Sequence, residues 1–407
     1  MNILRVITSM DPATGGPCQG IRNSIPELNK LGVNNEVVCL DDPASTYLSS
    51  DLFCVHAIGL GKGPWCYSRE LVPWLLKNFH RFDVVIIHGL WLYPSYATVK
   101  AMRLFKTQNL PGKKSGIPKL YVMPHGMLDP YFQRDSRRKW KAVRNIIYWK
   151  LFESKVINRA DGLLFTCEGE LELARKPFRP YRPKKELNIG YGIQSPPPFE
   201  KAMTDAFLEK CPEMQDQPFI LFLSRIHEKK GISNLINAYS KVIDEMTKNE
   251  LSRGKLSLPK LIIAGPGLES SYGKKMRLLV SKSKILQKSI FFPGMLTGEA
   301  KWGAFYNSKA FILPSHQENF GIAIVESLAC GKPVLITNKV NIWKEISSVN
   351  AGIVHDDTLN GAINLLHDFI SLNSEDSDKM NQQALSVYKK YFDVKVVAQE
   401  MIDAVNS

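Results

Sequence analysis

The sequence predicts an α/β protein made of two parallel-sheet halves in tandem. Three observations carry that prediction. Short apolar runs rich in β-branched residues alternate with helix-length amphipathic stretches, as in βαβ units. The runs lack polar alternation, which suits strands covered on both faces. The alternation stops near Lys185 and resumes beyond residues 194–199 (QSPPPF), where three consecutive prolines can neither continue a helix nor sit in a central strand.

In the first half the strand-like runs are residues 3–8 (ILRVIT), 36–40 (EVVCL), 83–88 (DVVIIH), 119–123 (KLYVM) and 162–166 (GLLFT). In the second they are 219–223 (FILFL), 260–264 (KLIIA), 290–292, 310–313 (AFIL), 333–337 (PVLIT) and 352–354. The expected boundaries are a first domain at 1–190, a connection at 191–215 and a second domain at 216–390. Residues from about 391 to 407 read as a helix able to pack back on the first domain, and 371–378 (SLNSEDSD) read as a polar loop. A length of 407 residues accommodates two domains of ordinary size.

The first ten residues, MNILRVITSM, lack a basic region followed by a long apolar stretch, so no signal peptide is expected. No apolar run is long enough to predict a membrane span. Seven scattered cysteines with no C-x-x-C pair predict neither a disulfide framework nor a zinc site, and a cytoplasmic chain is expected. The net charge is +14, and it is unevenly placed. Residues 1–185 hold 28 Lys+Arg against 15 Asp+Glu, a net of +13; residues 186–407 hold 25 against 24, a net of +1. Something acidic should therefore meet the first half: a membrane surface, a phosphate-bearing acceptor or nucleic acid.

Five strand ends carry chemistry. Residues 318–326 read ENFGIAIVE, two carboxylates flanking seven residues, just after the run 310–313. A helix beginning near Gly321 and ended by Gly331 and Pro333 fits the pattern. Eight residues of helix would rise roughly 12 Å. That is about the distance from hexose to ribose in a nucleoside diphosphate sugar. One carboxylate would meet hexose hydroxyls and the other ribose hydroxyls. The backbone N–H groups of Asn319, Phe320, Gly321 and Ile322 would face the diphosphate between them.

Residues 224–231 (SRIHEKKG) follow the run 219–223, and Arg225 and Lys230 there suit a diphosphate. Gly15-Gly16 follows the first run and permits close backbone approach to phosphate. Pro266, in the AGPG loop after 260–264, is another strand-end position. His125, in the strand end MPHG, can hydrogen-bond a sugar hydroxyl or polarise a leaving group. Trp91, in HGLW, could stack on an acceptor sugar or belong to the core. Each motif alone has an ordinary reading as a turn, a solvated face or a core residue. Their joint order along two αβ halves does not.

With these motifs in place the sequence resembles the retaining glycosyltransferases of family 4, over essentially the whole chain. The E-x7-E run, the R-x4-K-G turn, the P-H-G strand end and the early G-G loop match in order and spacing. The resemblance implies the GT-B fold, two Rossmann-like domains facing each other across a cleft. It implies a hexosyltransferase with Glu318 at the donor hexose and Glu326 at the ribose. Arg225 and Lys230 would hold the diphosphate, His125 would touch the transferred sugar, and Gly15 and Gly16 would meet phosphates or acceptor. The stretches HGLWLYPSYA and PHGMLDPYF look like enzymes of bacterial exopolysaccharide and O-antigen assembly. Two departures bear on donor identity: residues 188–193 read NIGYGI, and Asn319 stands where relatives commonly have glycine. The implied reaction moves a hexose, with retention, from a nucleoside diphosphate sugar to a saccharide acceptor linked to a lipid diphosphate, with no cofactor. No Asp-x-Asp sits at a strand end; Asp376 and Asp378 lie in the polar segment, so no metal is expected.

Residues 134–159 hold nine basic residues against Asp135 and Glu153, with Trp140, Tyr148 and Trp149 interleaved. Arg137, Arg138, Lys139 and Trp140 would place a basic amphipathic helix on an anionic bilayer, at the inner face of the plasma membrane. The alternative is a helix with one solvated and one packed face. Two other functions stand against the transferase: a sugar-nucleotide epimerase of the same fold, and a basic nucleic-acid-binding protein. No helix-turn-helix or RNA-stacking signature supports the latter.

Overall fold

The computed structural model describes residues 1–108, 116–134, 139–250 and 258–406, without the side chains of residues 134, 139 and 248–250. Arg137 and Arg138 lie outside the described residues, as does the side chain of Lys139. The chain forms two compact units: Met1–Ile193 with Val394–Ser407, and Gln194–Asp393.

Unit 1 is built on a seven-stranded sheet. Its strands are β1 (Asn2–Val6), β2 (Asn34–Cys39), β3 (Cys54–Ala57), β4 (Val84–His88), β5 (Lys119–Met123), β6 (Gly162–Phe165) and β7 (Glu186–Asn188). The order is β3-β2-β1-β4-β5-β6-β7, and every pairing is parallel. The five expected runs are the five central strands. The two edge strands, β3 (CVHA) and β7 (ELN), escape the sequence pattern because they are short and only half-buried.

The helix Gly16–Lys30 covers one face of this sheet, placing Cys18, Ile21 and Ile25 against Ile7, Val37 and Cys39. The C-terminal helix Val394–Asn406 packs on it and buries Val394, Val397, Ala398, Met401 and Val405, the three-and-four spacing of one helix face. Each large apolar side chain buried contributes about 1.5–3 kcal/mol, enough to hold the chain's last thirteen helical residues on a unit they do not follow in sequence. Lys119 Nζ and Tyr121 Oη also donate to the Val405 carbonyl, at 3.1 and 3.4 Å.

Unit 2 repeats the plan with six strands: β8 (Phe219–Leu223), β9 (Lys260–Ala264), β10 (Ile290–Gly294), β11 (Ala310–Leu313), β12 (Val334–Thr337) and β13 (Gly352–His355). The order β10-β9-β8-β11-β12-β13 is again wholly parallel and has the winding of the first six strands of unit 1.

Two expectations change here. The segment 191–215 is not a bare connection: from Gln194 it belongs to unit 2 and holds the helix Lys201–Lys210, whose Met203 and Phe207 are buried against the helix Gly298–Asn307. The prolines end the first unit's pattern, but apolar spacing resumes directly after them. Nor are residues 371–378 a loop throughout, because the helix Ser374–Val387 starts within them. Asn373 accepts the Asp376 N–H at 2.8 Å as its cap, and Glu375 and Asp376 occupy the positive first turn. Asp376 and Asp378 thus belong to a helix start. Among the described residues no helix is long and apolar enough to cross a membrane.

Candidate active site

In an open parallel sheet the loops at the strands' carboxyl ends diverge where the strand order reverses, leaving a crevice. That point lies between β1 and β4 in unit 1 and between β8 and β11 in unit 2.

In unit 2 the crevice is flanked by the loop after β8, with Arg225 and Lys230, and the loop after β11, with Glu318. Lys230 Nζ and a Glu318 carboxylate oxygen form an ion pair. Both side chains are mostly buried, at 13% and 16% exposure. The loops are also joined through backbone, the His316 N–H donating to the Lys229 carbonyl at 2.8 Å. Gly231 makes this approach possible. It has φ +70°, and a Cβ there would lie 1.9 Å from the Pro314 carbonyl oxygen. The glycine of the K-G pair is therefore demanded by backbone packing as well as conformation.

Glu318 is fixed from a third side. Its N–H donates to the Lys339 carbonyl at 2.9 Å, and its carbonyl accepts from Asn341 at 3.0 Å. Helix Ile322–Ala329 follows, with Gly321 at φ +80° as its N-cap. Residues 318–321 are consequently loop, and only the second half of the E-x7-E run is helical. The 12 Å helical rise expected between the two carboxylates does not apply, because a left-handed residue interrupts the path. Glu326 stands in the helix, half-buried, and accepts from Lys301 Nζ at 2.8 Å. Phe320 turns its ring inward against Phe392 at 5.5 Å and is only 5% exposed, so its backbone is the part near the helix start. Asn319 Oδ1 accepts from Asn341 at 3.2 Å. Gly321 and Ile322, with Glu326, remain half-buried at the helix start. Arg225 is exposed, and the neighbouring Ile226 N–H donates to the Pro266 carbonyl at 2.8 Å. Pro266 therefore braces the Arg225 loop.

In unit 1 the loops after β1 and β4 line a cavity of about 230 Å³ that includes Thr8, Ser9, Thr14, His88 and Gly89. Gly15, at φ +98°, caps the helix that begins at Gly16. His125, at the end of β5, stacks on His88, with Nε2 of His125 3.0 Å from Nδ1 of His88. Nη1 of buried Arg5 lies 3.4 Å from the other His88 nitrogen, Nε2. A guanidinium only donates, so His88 Nε2 accepts and its Nδ1 carries the proton. That proton faces His125 Nε2, leaving His125 Nδ1 as an N–H donor.

Burial and the Arg5 charge push His125 down to about 3, and burial pushes His88 down as well, with His125 and Arg5 adding to it. Arg5 itself, lowered by burial to about 10, stays charged at neutral pH. His125 is thus a neutral hydrogen-bond donor. Its φ of +52°, and the +73° of Trp91, place two non-glycine residues in the left-handed region at adjacent strand ends.

Two buried carboxylates hold those loops, and neither stood out in the sequence. Glu170 accepts the Gly126 N–H at 2.5 Å and both the N–H and hydroxyl of Thr166, at 2.8 and 2.6 Å. Glu153 accepts the Trp91 N–H at 2.8 Å and the Ser95 hydroxyl at 2.9 Å through Oε1, while Oε2 has no partner among the described residues. Burial raises its carboxyl to about 7. Trp91 packs among Tyr148, Trp149 and Phe178, and its indole N–H donates to the Met127 carbonyl at 3.3 Å.

The basic segment is helical over Lys139–Tyr148, passes through a π turn at Trp149–Glu153 and continues as Ser154–Arg159. Trp149 is buried and is no surface anchor. Trp140 is 88% exposed, and Val143, Ile147 and Leu151 of the same segment are more than half exposed.

Residues 15–187 match the family described as glycosyl transferase 4-like domain, and residues 204–387 match glycosyl transferases group 1. An uncharacterised glycosyltransferase of Methanocaldococcus jannaschii is 27% identical over 138 residues, 34% of this chain and 32% of that protein. The N-acetyl-alpha-D-glucosaminyl L-malate synthase of Bacillus anthracis is 23% identical over 265 residues, 63% of this chain and 61% of that protein. The alignments thus span less than two thirds of either relative. The crystal structure of Anabaena HepE in complex with UDP and glucose has a similar fold, with a TM-score of 0.72, 16% identity and coverage of 100% and 99% of the two chains. With both halves matched in order and both sheets wound alike, the chain belongs to the GT-B glycosyltransferases of the family 4 type.

Proposed function

We propose that this enzyme moves a hexose, with retention of configuration, from a nucleoside diphosphate hexose to a saccharide carried on a lipid diphosphate, in the assembly of a surface polysaccharide. The observation that carries the donor half is the Lys230–Glu318 pair at the β8–β11 crevice, with Arg225 exposed on the same loop as Lys230. A cation for phosphate and a carboxylate for sugar hydroxyls sit in direct contact there. The HepE structures hold UDP or UDP-glucose, which supports a uridine donor.

In this mechanism the acceptor hydroxyl attacks the anomeric carbon on the face of the leaving group. The bond to the nucleoside diphosphate breaks, and a donor phosphate oxygen takes the hydroxyl proton. Arg225, Lys230 and the start of helix Ile322–Ala329 stabilise the charge growing on the diphosphate. Glu318 binds hexose hydroxyls, Glu326 the ribose, and His125 donates its N–H to the transferred sugar. Gly15 and Gly16, on unit 1, meet the phosphate or acceptor. The chain's own cations serve the leaving group, so no metal or other cofactor is needed.

The acceptor half rests on the helix Lys139–Tyr148. Trp140, Val143, Ile147 and Leu151 form an exposed apolar stripe, bordered by the basic residues Lys141, Arg144, Lys150 and Lys155. An anionic bilayer, at the inner face of the plasma membrane, suits that combination. A second copy of the chain does not, since it would bring the same cations together.

The test is a thermal-shift screen of nucleoside diphosphates and nucleotide sugars with EDTA present. A ligand at 100 times its dissociation constant stabilises by roughly 2.7 kcal/mol. One base family should stabilise the protein, with the effect lost in Lys230→Ala and Glu326→Ala. No shift with any of them would remove the donor assignment, and a shift abolished by EDTA would remove metal independence.

A further inference from the structure

Unit 1 contains a second cavity, of about 300 Å³, beside the crevice at β1 and β4. Its floor is Leu90, Trp91, Met127 and Phe132, and Lys141 and Arg144 stand on its wall. We propose that this cavity binds the phosphate-proximal end of a lipid diphosphate, with the first alkyl units on the apolar floor and the phosphate at Lys141 and Arg144. The proposal deepens the lipid-linked acceptor reading and rests on it.

Three features fit that ligand and no simpler one. The first is composition. Four large apolar side chains call for alkyl groups, which a free phosphosugar or inorganic phosphate lacks. Lys141 and Arg144 are exposed, and neither forms an ion pair with a carboxylate among the described residues. Among the described residues the Arg144 guanidinium donates to the neighbouring Asn145 Oδ1, at 3.3 Å. No carboxylate among the described residues takes up their charge, which suits an anionic ligand.

The second is placement. Lys141 and Arg144 belong to the same helix as the exposed Trp140–Val143–Ile147 stripe. An apolar chain held in a bilayer would enter the cavity beside the surface that meets the bilayer. The third is continuity. Leu90 and Met127 line both this cavity and the 230 Å³ cavity whose wall includes Thr8, Ser9 and His88. The apolar floor adjoins the hydroxyl-bearing crevice and the cations stand beside that floor, so alkyl chain, phosphate and sugar of a glycosyl lipid phosphate each meet matching side chains.

The experiment titrates the full chain with farnesyl diphosphate, below its aggregation concentration, by calorimetry and by Trp91 quenching. Inorganic diphosphate and farnesol serve as fragment controls. Farnesyl diphosphate should bind at least about tenfold more tightly than either fragment. The double substitution Lys141→Ala/Arg144→Ala should weaken it by about tenfold or more, and Phe132→Ala by several-fold. The pair Lys150→Ala/Lys155→Ala, exposed on the same segment but outside the cavity, should change it less than about twofold.

Inorganic diphosphate binding as tightly would overturn the proposal in favour of a plain anion patch. Farnesol binding as tightly would reduce the site to an apolar hole, and an equal loss in the Lys150/Lys155 pair would reduce it to diffuse charge. Nucleotide-induced stabilisation in the same preparations reports separately on unit 2. A protein that takes nucleotide but not farnesyl diphosphate refutes the lipid site and leaves the transferase reading standing.

Discussion

Gly231 shows how one position links backbone geometry to chemistry. Its αL conformation ends the turn that carries Lys230, and its missing Cβ lets that turn touch the end of β11, where Glu318 follows. Gly231→Ala should cost about 2–4 kcal/mol in urea unfolding and weaken nucleotide binding with it. Glu153 is a second such position, buried to hold the Trp91 loop with one oxygen unanswered among the described residues. Its carboxyl is raised to about 7, so the folded state binds a proton that the unfolded state has released above about 4.5. Its contribution is therefore full below the unfolded value and falls as pH rises through 7. The two buried histidines work in the opposite sense, since lowered values cost stability as pH falls below about 6.5. The informative quantity is the difference between Glu153→Gln and wild type. Urea titrations from pH 4.5 to 8 should show the variant gaining on wild type by an amount on the order of 3 kcal/mol, levelling off above pH 7. A flat difference would mean that Glu153 ionises freely.

At the scale of elements, the loops after β8 and β11 and the helix Ile322–Ala329 act as one device. The helix start offers N–H groups, the β8 loop supplies cations, and the β11 loop brings the carboxylate. Glu318→Gln keeps the size of that carboxylate and removes its charge. It should lower kcat by about 10²–10³-fold, the range for losing one group that acts mainly in the transition state. Thermal shifts with the nucleoside diphosphate should stay near wild type. The segment 139–151 is an element of another kind, with an apolar stripe that no described part of the protein covers. Trp140→Ser/Ile147→Ser should leave the unfolding temperature unchanged, because both side chains are exposed, while cosedimentation with anionic phosphatidylglycerol vesicles falls severalfold. Unchanged cosedimentation would remove the bilayer as its partner.

At the scale of the molecule, the C-terminal helix completes unit 1 after the chain has built unit 2. Met401 reaches Arg5 Nη2 at 3.6 Å, so that helix also closes the buried end of the Arg5–His88–His125 series. Removing residues 394–407 takes away the five apolar side chains that this helix buries and uncovers that arginine. Hydrogen exchange of the truncated protein should show loss of protection confined to 1–193, with residues 194–393 still protected by added nucleotide. Loss of protection throughout would mean that the two units unfold as one.

The sequence by itself determined the two parallel sheets and their central strands, because doubly covered strands are continuous apolar runs that need no tertiary context to be read. It also determined that glycines, cations and carboxylates stand at the strand ends, since these keep their spacing in the chain. The edge strands β3 and β7 were not legible, being too short and too exposed to carry a pattern. Nor was the break at Gly321, where a left-handed glycine separates Glu318 from the helix that holds Glu326. The contact between Lys230 and Glu318, 88 residues apart, and the protonation pattern of His125, set by Arg5 through His88, exist only in the folded chain. Glu153 and Glu170 in sequence are ordinary helical glutamates. Burial beneath loops from distant strands is what turns them into supports of the site, because hydrogen bonds and desolvation act through space and leave no spacing to read.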